Sequence, residues 1–250
     1  MATLFDESFL NWVLIAFAAF IIGLSKSGIK GIEMMNITIM AIVFGGKAST
    51  GVVLPLLCMA DIMAVKYYHR HAQWSHFWKL MPWLAAGILF GVFIGKDLDE
   101  VVFRKVMAVF IILTVAIMFM IEMTKNLSIP ENKLFIASTG LTAGFTTMLG
   151  NLGGAFSNIY FLATRMVKND FIGTAAWIFL VINFFKLPFQ IIYWRNITYA
   201  SLRIDLFLIP ALIVGFITGL IIVSKIKEDY FRKIVFVLTL IGAFIIFFKR

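Results

Sequence analysis

The sequence predicts an all-α membrane protein made of two inverted repeats, each a short broken or re-entrant helix pair followed by three transmembrane helices. Composition is the first observation behind this fold class: the 250 residues are 62% hydrophobic and 14% charged, with a mean hydropathy of +0.98. Soluble domains are about 45–50% apolar and about 25% charged. The second observation is a set of long apolar runs separated by charge clusters. The third is that the second half repeats the glycine, proline and asparagine pattern of the first.

The internal repeat is carried by residues that set backbone geometry. Gly28-x-x-Gly31 in the first half matches Gly150-x-x-Gly153 in the second. Further along, Pro82-x-x-x-x-Gly87-x-x-x-Gly91 matches Pro210-x-x-x-x-Gly215-x-x-x-Gly219. Glycine and proline are not interchangeable with other residues, and an apolar chain duplicated in this way is typical of secondary transporters. We expect a first repeat over residues 1–124 and a second over residues 132–250, within one transmembrane domain.

Ten apolar segments follow in order along the chain, five in each half. They cover residues 9–24, 32–45, 49–68, 77–95, 102–123, 133–149, 154–166, 171–194, 204–223 and 230–248. The first two segments of each half are short, and a helix of about 13 residues spans roughly 20 Å of a hydrocarbon core that is about 30 Å thick. Non-helical backbone is tolerated inside a membrane where it is buried in protein or lines a wet cavity. We therefore expect the breaks at Gly28–Gly31 and Gly150–Gly153 to face each other near the midplane.

The number of crossings sets the symmetry and the orientation. Each half has an odd number of expected crossings, either five spans or a re-entrant pair plus three spans, so we expect the second half to be turned over relative to the first. Four true crossings per half would instead make the repeats parallel. Loops rich in Lys and Arg face the cytoplasm, which places both termini outside. The acidic N-terminus, with Asp6 and Glu7, lacks the basic region of a signal peptide. We expect a multi-pass protein of the inner (cytoplasmic) membrane.

The break in the first half is the richest candidate site. Its sequence is Ser25-Lys26-Ser27-Gly28-Ile29-Lys30-Gly31, with two lysines, two hydroxyls and two glycines between apolar segments. Glycines free backbone N–H groups, a following helix N-terminus adds a positive dipole end, and Lys26 adds a full charge. Together these features suit a small oxyanion. The alternative is an ordinary basic loop at the membrane interface.

The break in the second half, from Thr146 to Gly154 and on to Ser157 and Asn158, carries no charge. It offers hydroxyl, amide and backbone donors. A site built from one charged and one neutral half suits a ligand with one or two negative charges. The alternative is helix packing through small residues, which is common in membranes.

Lys186 lies in the middle of an apolar segment, with Asn183 and Gln190 one turn away on the same helix face. A lysine inside a membrane is costly and should face a cavity or a partner. It could bind the ligand, or form a structural ion pair with Asp61 or Glu33. These two carboxylates are also the candidates for coupling transport to the movement of a proton. The expected substrate-binding residues are Ser25, Lys26, Ser27, Gly28, Gly31, Asn36, Thr147, Gly150, Asn151, Gly153, Gly154, Asn158, Asn183 and Lys186.

Other functional classes are weakly indicated. His69, His71 and His76 invite a metal site, but they lie in a basic loop with interface aromatics and lack nearby carboxylates. The lone Cys58 lies in an apolar segment and is expected to be core filler. We expect no catalytic residue, no metal and no cofactor. The net charge of +9 falls mostly between apolar segments, which indicates a lipid bilayer as partner and no nucleic acid.

At these residues the sequence resembles the TauE/SafE sulfite exporter family over nearly its whole length. The resemblance is carried by Gly23-Leu24-Ser25-Lys26-Ser27-Gly28-x-x-Gly31 in the first half and by Gly150-x-x-Gly153-Gly154, followed by Ile172-Gly173-Thr174, in the second. The duplicated Pro-x-x-x-x-Gly-x-x-x-Gly pattern also fits. The resemblance implies transport, expected as export, of a small sulfur-containing anion such as sulfite or an organosulfonate. An anion channel and a metal-dependent membrane enzyme using the histidines stay open as alternatives, and so does a homodimer.

Overall fold

The computed structural model describes residues 8–99 and 132–227, and the isolated positions 101–103, 105, 106, 109, 110, 113, 230 and 237. The part of the chain so described is helical and holds no strand. The first half contains helices α1 (Phe9–Lys26), α2 (Glu33–Phe44), α3 (Gly46–Tyr68) and α4 (Trp74–Lys96). The second half contains α5 (Lys133–Gly150), α6 (Gly153–Ala163), α7 (Lys168–Pro188) and α8 (Tyr199–Lys225). A 3-10 turn, His69–His71, follows α3, and a π-helical turn, Phe189–Tyr193, extends α7.

These helices match eight of the ten predicted segments. The other two, 102–123 and 230–248, lie outside the described residues apart from the isolated positions. By length and composition, five described helices can cross a membrane: α1, α3, α4, α7 and α8, with α3 and α7 counted together with the turns that follow them. The described part of the chain is therefore all-helical, with five helices that suit a multi-pass membrane protein. The second helix of each half is short, as predicted: α2 has 12 residues and α6 has 11, and both fall well short of a hydrocarbon core about 30 Å thick.

The break differs between the two halves. In the first half residues 27–32 separate α1 from α2, and Gly28 and Gly31 have φ values of 126° and 99°, which favour glycine. In the second half only Asn151 and Leu152 separate α5 from α6, and Asn151 takes the left-handed conformation with φ 57°. Gly150 and Gly153 are the end and the start of helices. The predicted non-helical tip at Gly150–Gly153 is therefore shorter than expected, because asparagine itself tolerates the left-handed region.

The two halves exchange partners. The most extensive helix contacts are α4 with α5 and α1 with α8, so the first helix of each half packs against the fourth helix of the other. Glycines of the duplicated motif permit both crossings: a side chain at Gly215 on α8 would collide with the carbonyl oxygen of Phe20, and one at Gly87 on α4 with that of Leu141. The duplicated proline–glycine motif thus has the same packing role on α4 and on α8.

The third helices, α3 and α7, pack against each other in the middle of the structure. They run antiparallel, since Gly51 near the start of α3 contacts Asn196 just after α7, and Gly173 near the start of α7 contacts the end of α3 at Tyr68. Two-thirds of the apolar window of α3 is buried, against less than half in the other candidate spans. Corresponding helices that run in opposite directions are required by inverted repeats; the inversion across a membrane stays a prediction.

Candidate functional site

A small cavity lies between the two halves, beside the break that follows α1. The centres of water-sized spheres can occupy about 30 Å³ of it. Its lining comes from six helices of both halves, α1, α2, α3, α5, α6 and α7, and from one residue of each break. The lining residues are Ile22, Ser25, Lys26, Lys30, Glu33, Asn36, Ile37, Leu57, Thr147, Asn151, Gly154, Phe179 and Asn183.

The first break is held in place from both halves. The Tyr68 hydroxyl on α3 donates a 2.8 Å hydrogen bond to the Ser27 carbonyl oxygen. A side chain at Gly28 would come within 2.7 Å of the Ile172 Cδ1 atom on α7. The Ser27 hydroxyl donates back to the Leu24 carbonyl oxygen. The irregular backbone therefore has a fixed conformation, and this conformation directs Lys26 and Lys30 to the cavity.

Lys26 is paired with a carboxylate of its own half. Its Nζ atom lies 2.6 Å from Asp61 Oδ1, and Asp61 is fully buried. Asp61 Oδ1 accepts no hydrogen bond of good geometry, so the contact is a close ion pair rather than an aligned hydrogen bond. Asn183 donates a 2.7 Å hydrogen bond to the other oxygen, Oδ2, and the Lys26 ammonium stands 4.5 Å from the centre of the Phe179 ring. The charge expected to meet a substrate is thus already neutralised.

Lys186 is fully buried and is held by neutral groups. Its ammonium donates to Asn151 Oδ1 at 2.6 Å, to Thr147 Oγ1 at 3.2 Å and to Asn183 Oδ1 at 3.3 Å. These three contacts use its three N–H groups. No carboxylate of the described residues lies within salt-bridge distance of it. The ion pair considered for Lys186 is absent among these residues, and Asn183 links Lys186 to Asp61 instead.

Glu33 occupies the environment that was predicted for a substrate anion. Its carboxylate accepts hydrogen bonds from the Gly31 N–H at 2.6 Å, the Ser25 hydroxyl at 3.2 Å and the Asn158 amide at 3.4 Å. It lies in the first turn of α2. It also lies beside the start of α6, where a side chain at Gly154 would come within 2.6 Å of Glu33 Oε1. Two helix N-termini therefore favour its negative charge.

Lys30 was not among the predicted site residues, although it lies in the stretch that was singled out. It is 4% exposed and lines the cavity. Within the described part of the chain its ammonium has no hydrogen bond and no carboxylate at salt-bridge distance, and it stands 6.0 Å from the centre of the Phe179 ring. The available signal was the presence of two lysines in one stretch, because one nearby carboxylate can neutralise only one of them.

Two further donors face the cavity without an acceptor. Asn36 is 2% exposed; its amide oxygen Oδ1 is buried without a hydrogen bond, and its amide nitrogen donates to no described residue. The Thr147 hydroxyl accepts from Lys186 and donates to no described residue, so its own proton is available. The site thus combines a lysine, an amide and a hydroxyl.

The remaining predicted residues divide into two groups. The cavity is lined by Ser25, Lys26, Asn36, Thr147, Asn151, Gly154 and Asn183, and by the coupling candidate Glu33. The residues that do not line it are Ser27, Gly28, Gly31, Gly150, Gly153, Asn158 and Lys186, and the coupling candidate Asp61. Of these, Gly31, Asn158, Lys186 and Asp61 each contact a lining residue directly, whereas Gly150 ends α5 and Gly153 begins α6 beside Thr147.

The three histidines lie apart from the cavity and have separate partners. The Nδ1 atom of His76 lies 2.7 Å from the Tyr160 hydroxyl oxygen, and that of His71 lies 3.6 Å from Asp170. His69 bonds through Nδ1 to the Lys66 carbonyl oxygen. No group of three or more His, Cys, Asp or Glu among the described residues is placed to hold a metal ion. Cys58 is buried and free, as expected of a core residue.

Comparison with known proteins agrees with this architecture. The model of the family described as Sulfite exporter TauE/SafE matches residues 14–246. No curated protein and no solved structure gives a significant match. Because the family match covers nearly the whole length of the sequence, this chain belongs to the TauE/SafE sulfite exporter family.

Proposed function

We propose that the protein is a secondary transporter that exports a small sulfur-containing oxyanion, such as sulfite or an organosulfonate, across the cytoplasmic membrane. The family is one of sulfite exporters, which supports the substrate class. The observation that carries the proposal is the cavity between the two halves. There, the buried Lys30 ammonium has no carboxylate partner among the described residues and stands beside the unused donors of Asn36 and Thr147.

Alternating access of the two halves around this cavity is the proposed mechanism. Polar contacts between the halves meet at the site: Asn158 with Glu33, and Asn183 with Asp61. Each joins an amide of the second half to a carboxylate of the first, so a rocking movement can exchange them for other contacts. Glu33 and Asp61 are for this reason the proposed coupling residues. A membrane potential that is negative inside drives an anion outward by about 2.3 kcal/mol per charge per 100 mV.

Counterflow in proteoliposomes tests this proposal. Vesicles loaded with unlabelled sulfite should accumulate labelled sulfite, and the flux should saturate. Lys30→Gln should weaken the substrate's apparent affinity by about 2–5 kcal/mol, the range found when one partner of a buried charge pair is truncated. Lys66→Gln is the matched control because Lys66 is exposed on α3, and it should leave the flux unchanged. Absence of flux for sulfite and for organosulfonates overturns the proposal, and single-channel currents without counterflow overturn the carrier mechanism.

A further inference from the structure

We infer that the site binds its substrate as a compact monoanion, with the Lys30 ammonium as the charge partner; this inference rests on the proposed function. The described groups at the cavity and directly behind it carry three ammonium charges, on Lys26, Lys30 and Lys186, and two carboxylate charges, on Glu33 and Asp61. One positive charge is left over. An occupant with one negative charge makes the site neutral.

The distribution of these charges identifies the group that is left without a partner. Asp61 neutralises Lys26 across 2.6 Å. Lys186 donates to three neutral acceptors, and Glu33 accepts from three neutral donors, so both are fully hydrogen-bonded by the protein. The charged groups that act on Lys30 are Lys26, Glu33 and Asp61, and none forms an ion pair with it. Lys30 is therefore the cation available to an incoming anion.

The neutral donors suit the oxygen atoms of such an anion. The Asn36 amide makes no hydrogen bond with the described residues, and the Thr147 hydroxyl has a proton to donate. With the Lys30 ammonium they supply donors of three chemical types around one cavity. A second negative charge would have no free cation, because Lys26 and Lys186 are already held. A buried charge without a partner is strongly unfavourable, so the site discriminates against dianions.

The space available limits the size of the occupant. The centres of water-sized spheres reach about 30 Å³ of the cavity, which is room for a small ion and not for a long one. Ile22, Leu57 and Phe179 close the remaining walls with apolar atoms. The occupant therefore has only a few non-hydrogen atoms, as hydrogensulfite and methanesulfonate have. A longer sulfonate requires the cavity to widen.

Binding of three anions to the purified protein tests the inference. Methanesulfonate is a monoanion and sulfate a dianion throughout the neutral pH range, whereas sulfite changes between the two forms within it. At each pH in this range we expect sulfate to bind about tenfold more weakly than methanesulfonate. Relative to methanesulfonate, sulfite should bind more tightly as the pH falls. Equal or tighter binding of sulfate, or tighter binding of sulfite as the pH rises, overturns the monoanion.

Two charge variants test whether anion binding depends on the charge of Lys30 and whether the preference for a monoanion over a dianion depends on the charge of the site. Lys30→Gln removes the free charge and should weaken methanesulfonate binding without any gain for sulfate, so the preference for the monoanion persists or grows while the affinity is lost. Glu33→Gln raises the charge of the site by one and should shift the preference toward sulfate by about tenfold. The new amide can be accommodated, because Asn158 Oδ1 has no hydrogen-bond partner and can accept from it. Lys66→Gln is again the control. If Lys30→Gln melts like the control and binds methanesulfonate as the wild type does, Lys30 is not the charge partner.

Failure of the proposed function and failure of the monoanion proposal give different results. If none of the three anions binds or is transported, both the proposed function and the monoanion proposal are overturned. If sulfate is bound and transported best, the transporter stands and only the monoanion is overturned. If Lys30→Gln does not fold, Glu33→Gln still tests the monoanion proposal through the expected shift of anion preference toward sulfate. An unchanged preference between methanesulfonate and sulfate in Glu33→Gln counts against the proposal.

Discussion

The polar residues of the site form a chain of contacts across the two halves, and each member depends on the next. Lys26 contacts Asp61, Asp61 accepts from Asn183, and Asn183 accepts from Lys186. Lys186 in turn holds Thr147 and Asn151 at the cavity wall. Since a buried group that loses its partner is costly, most substitutions within this chain should be read first as changes in stability and only then as changes in binding.

Replacement of Lys26 is the most direct test at this scale. Lys26→Met keeps an apolar stem beside Phe179 but leaves the Asp61 carboxylate buried without a counter-charge. Breaking a buried pair from one side costs about 3–5 kcal/mol, so the melting temperature in detergent should fall clearly. Adding Asp61→Asn should restore much of it, because an amide oxygen can still accept from Asn183. A single variant that melts like the wild type would show that the pair is not structurally important.

The role of a residue could be predicted from the sequence only where the residues next to it in the sequence determine that role. Lys186 was correctly expected to need polar partners inside the membrane, because an ammonium in an apolar segment always does. The choice between Lys26 and Lys30 could not be made, since it depends on Asp61, which lies on α3 far along the chain. Glu33 could not be assigned either, because its partner Asn158 belongs to the other half.

At the scale of the elements, the glycine-lined crossings determine how closely α1 and α8, and α5 and α4, approach. The sequence predicted the duplicated motif on α4 and α8, and the structure gives the reason for its duplication: each copy receives the first helix of the opposite half. The partner itself was not predictable, because small residues permit close approach without specifying which helix approaches.

Gly215→Ala tests the crossing of α1 and α8. The added methyl group would collide with the Phe20 carbonyl oxygen, a backbone atom that cannot turn aside. Overpacking of this kind costs about 1–3 kcal/mol, so the melting temperature should fall. Val214→Ala is the neighbouring control, because Val214 is 55% exposed on the outer side of α8. Equal melting temperatures for the two variants would mean that the helices separate without cost.

For the molecule as a whole, the arrangement of the halves follows from which helices are antiparallel. α3 and α7 are corresponding helices of the two repeats and run in opposite directions, so the connection after α3 and the connection after α7 leave from opposite ends of the central pair. The sequence predicted inverted repeats from the odd number of crossings per half; antiparallel α3 and α7 meet a requirement of that arrangement, and the inversion itself stays a prediction. The physical basis of the antiparallel packing is the pair of close contacts of Gly51 with Asn196 and of Gly173 with Tyr68.

Cysteine labelling in intact cells tests the inverted topology. Cys58 is the only cysteine, so Cys58→Ser provides a background without thiols. His71→Cys then marks the connection between α3 and α4, and Arg195→Cys marks the one between α7 and α8; both positions are exposed. If the repeats are inverted, a thiol reagent that cannot cross the membrane should label one of the two variants in intact cells and both after permeabilisation. The positive-inside assignment makes Arg195→Cys the one labelled from outside. Labelling of both variants from the same side would require parallel repeats and would overturn the inverted topology.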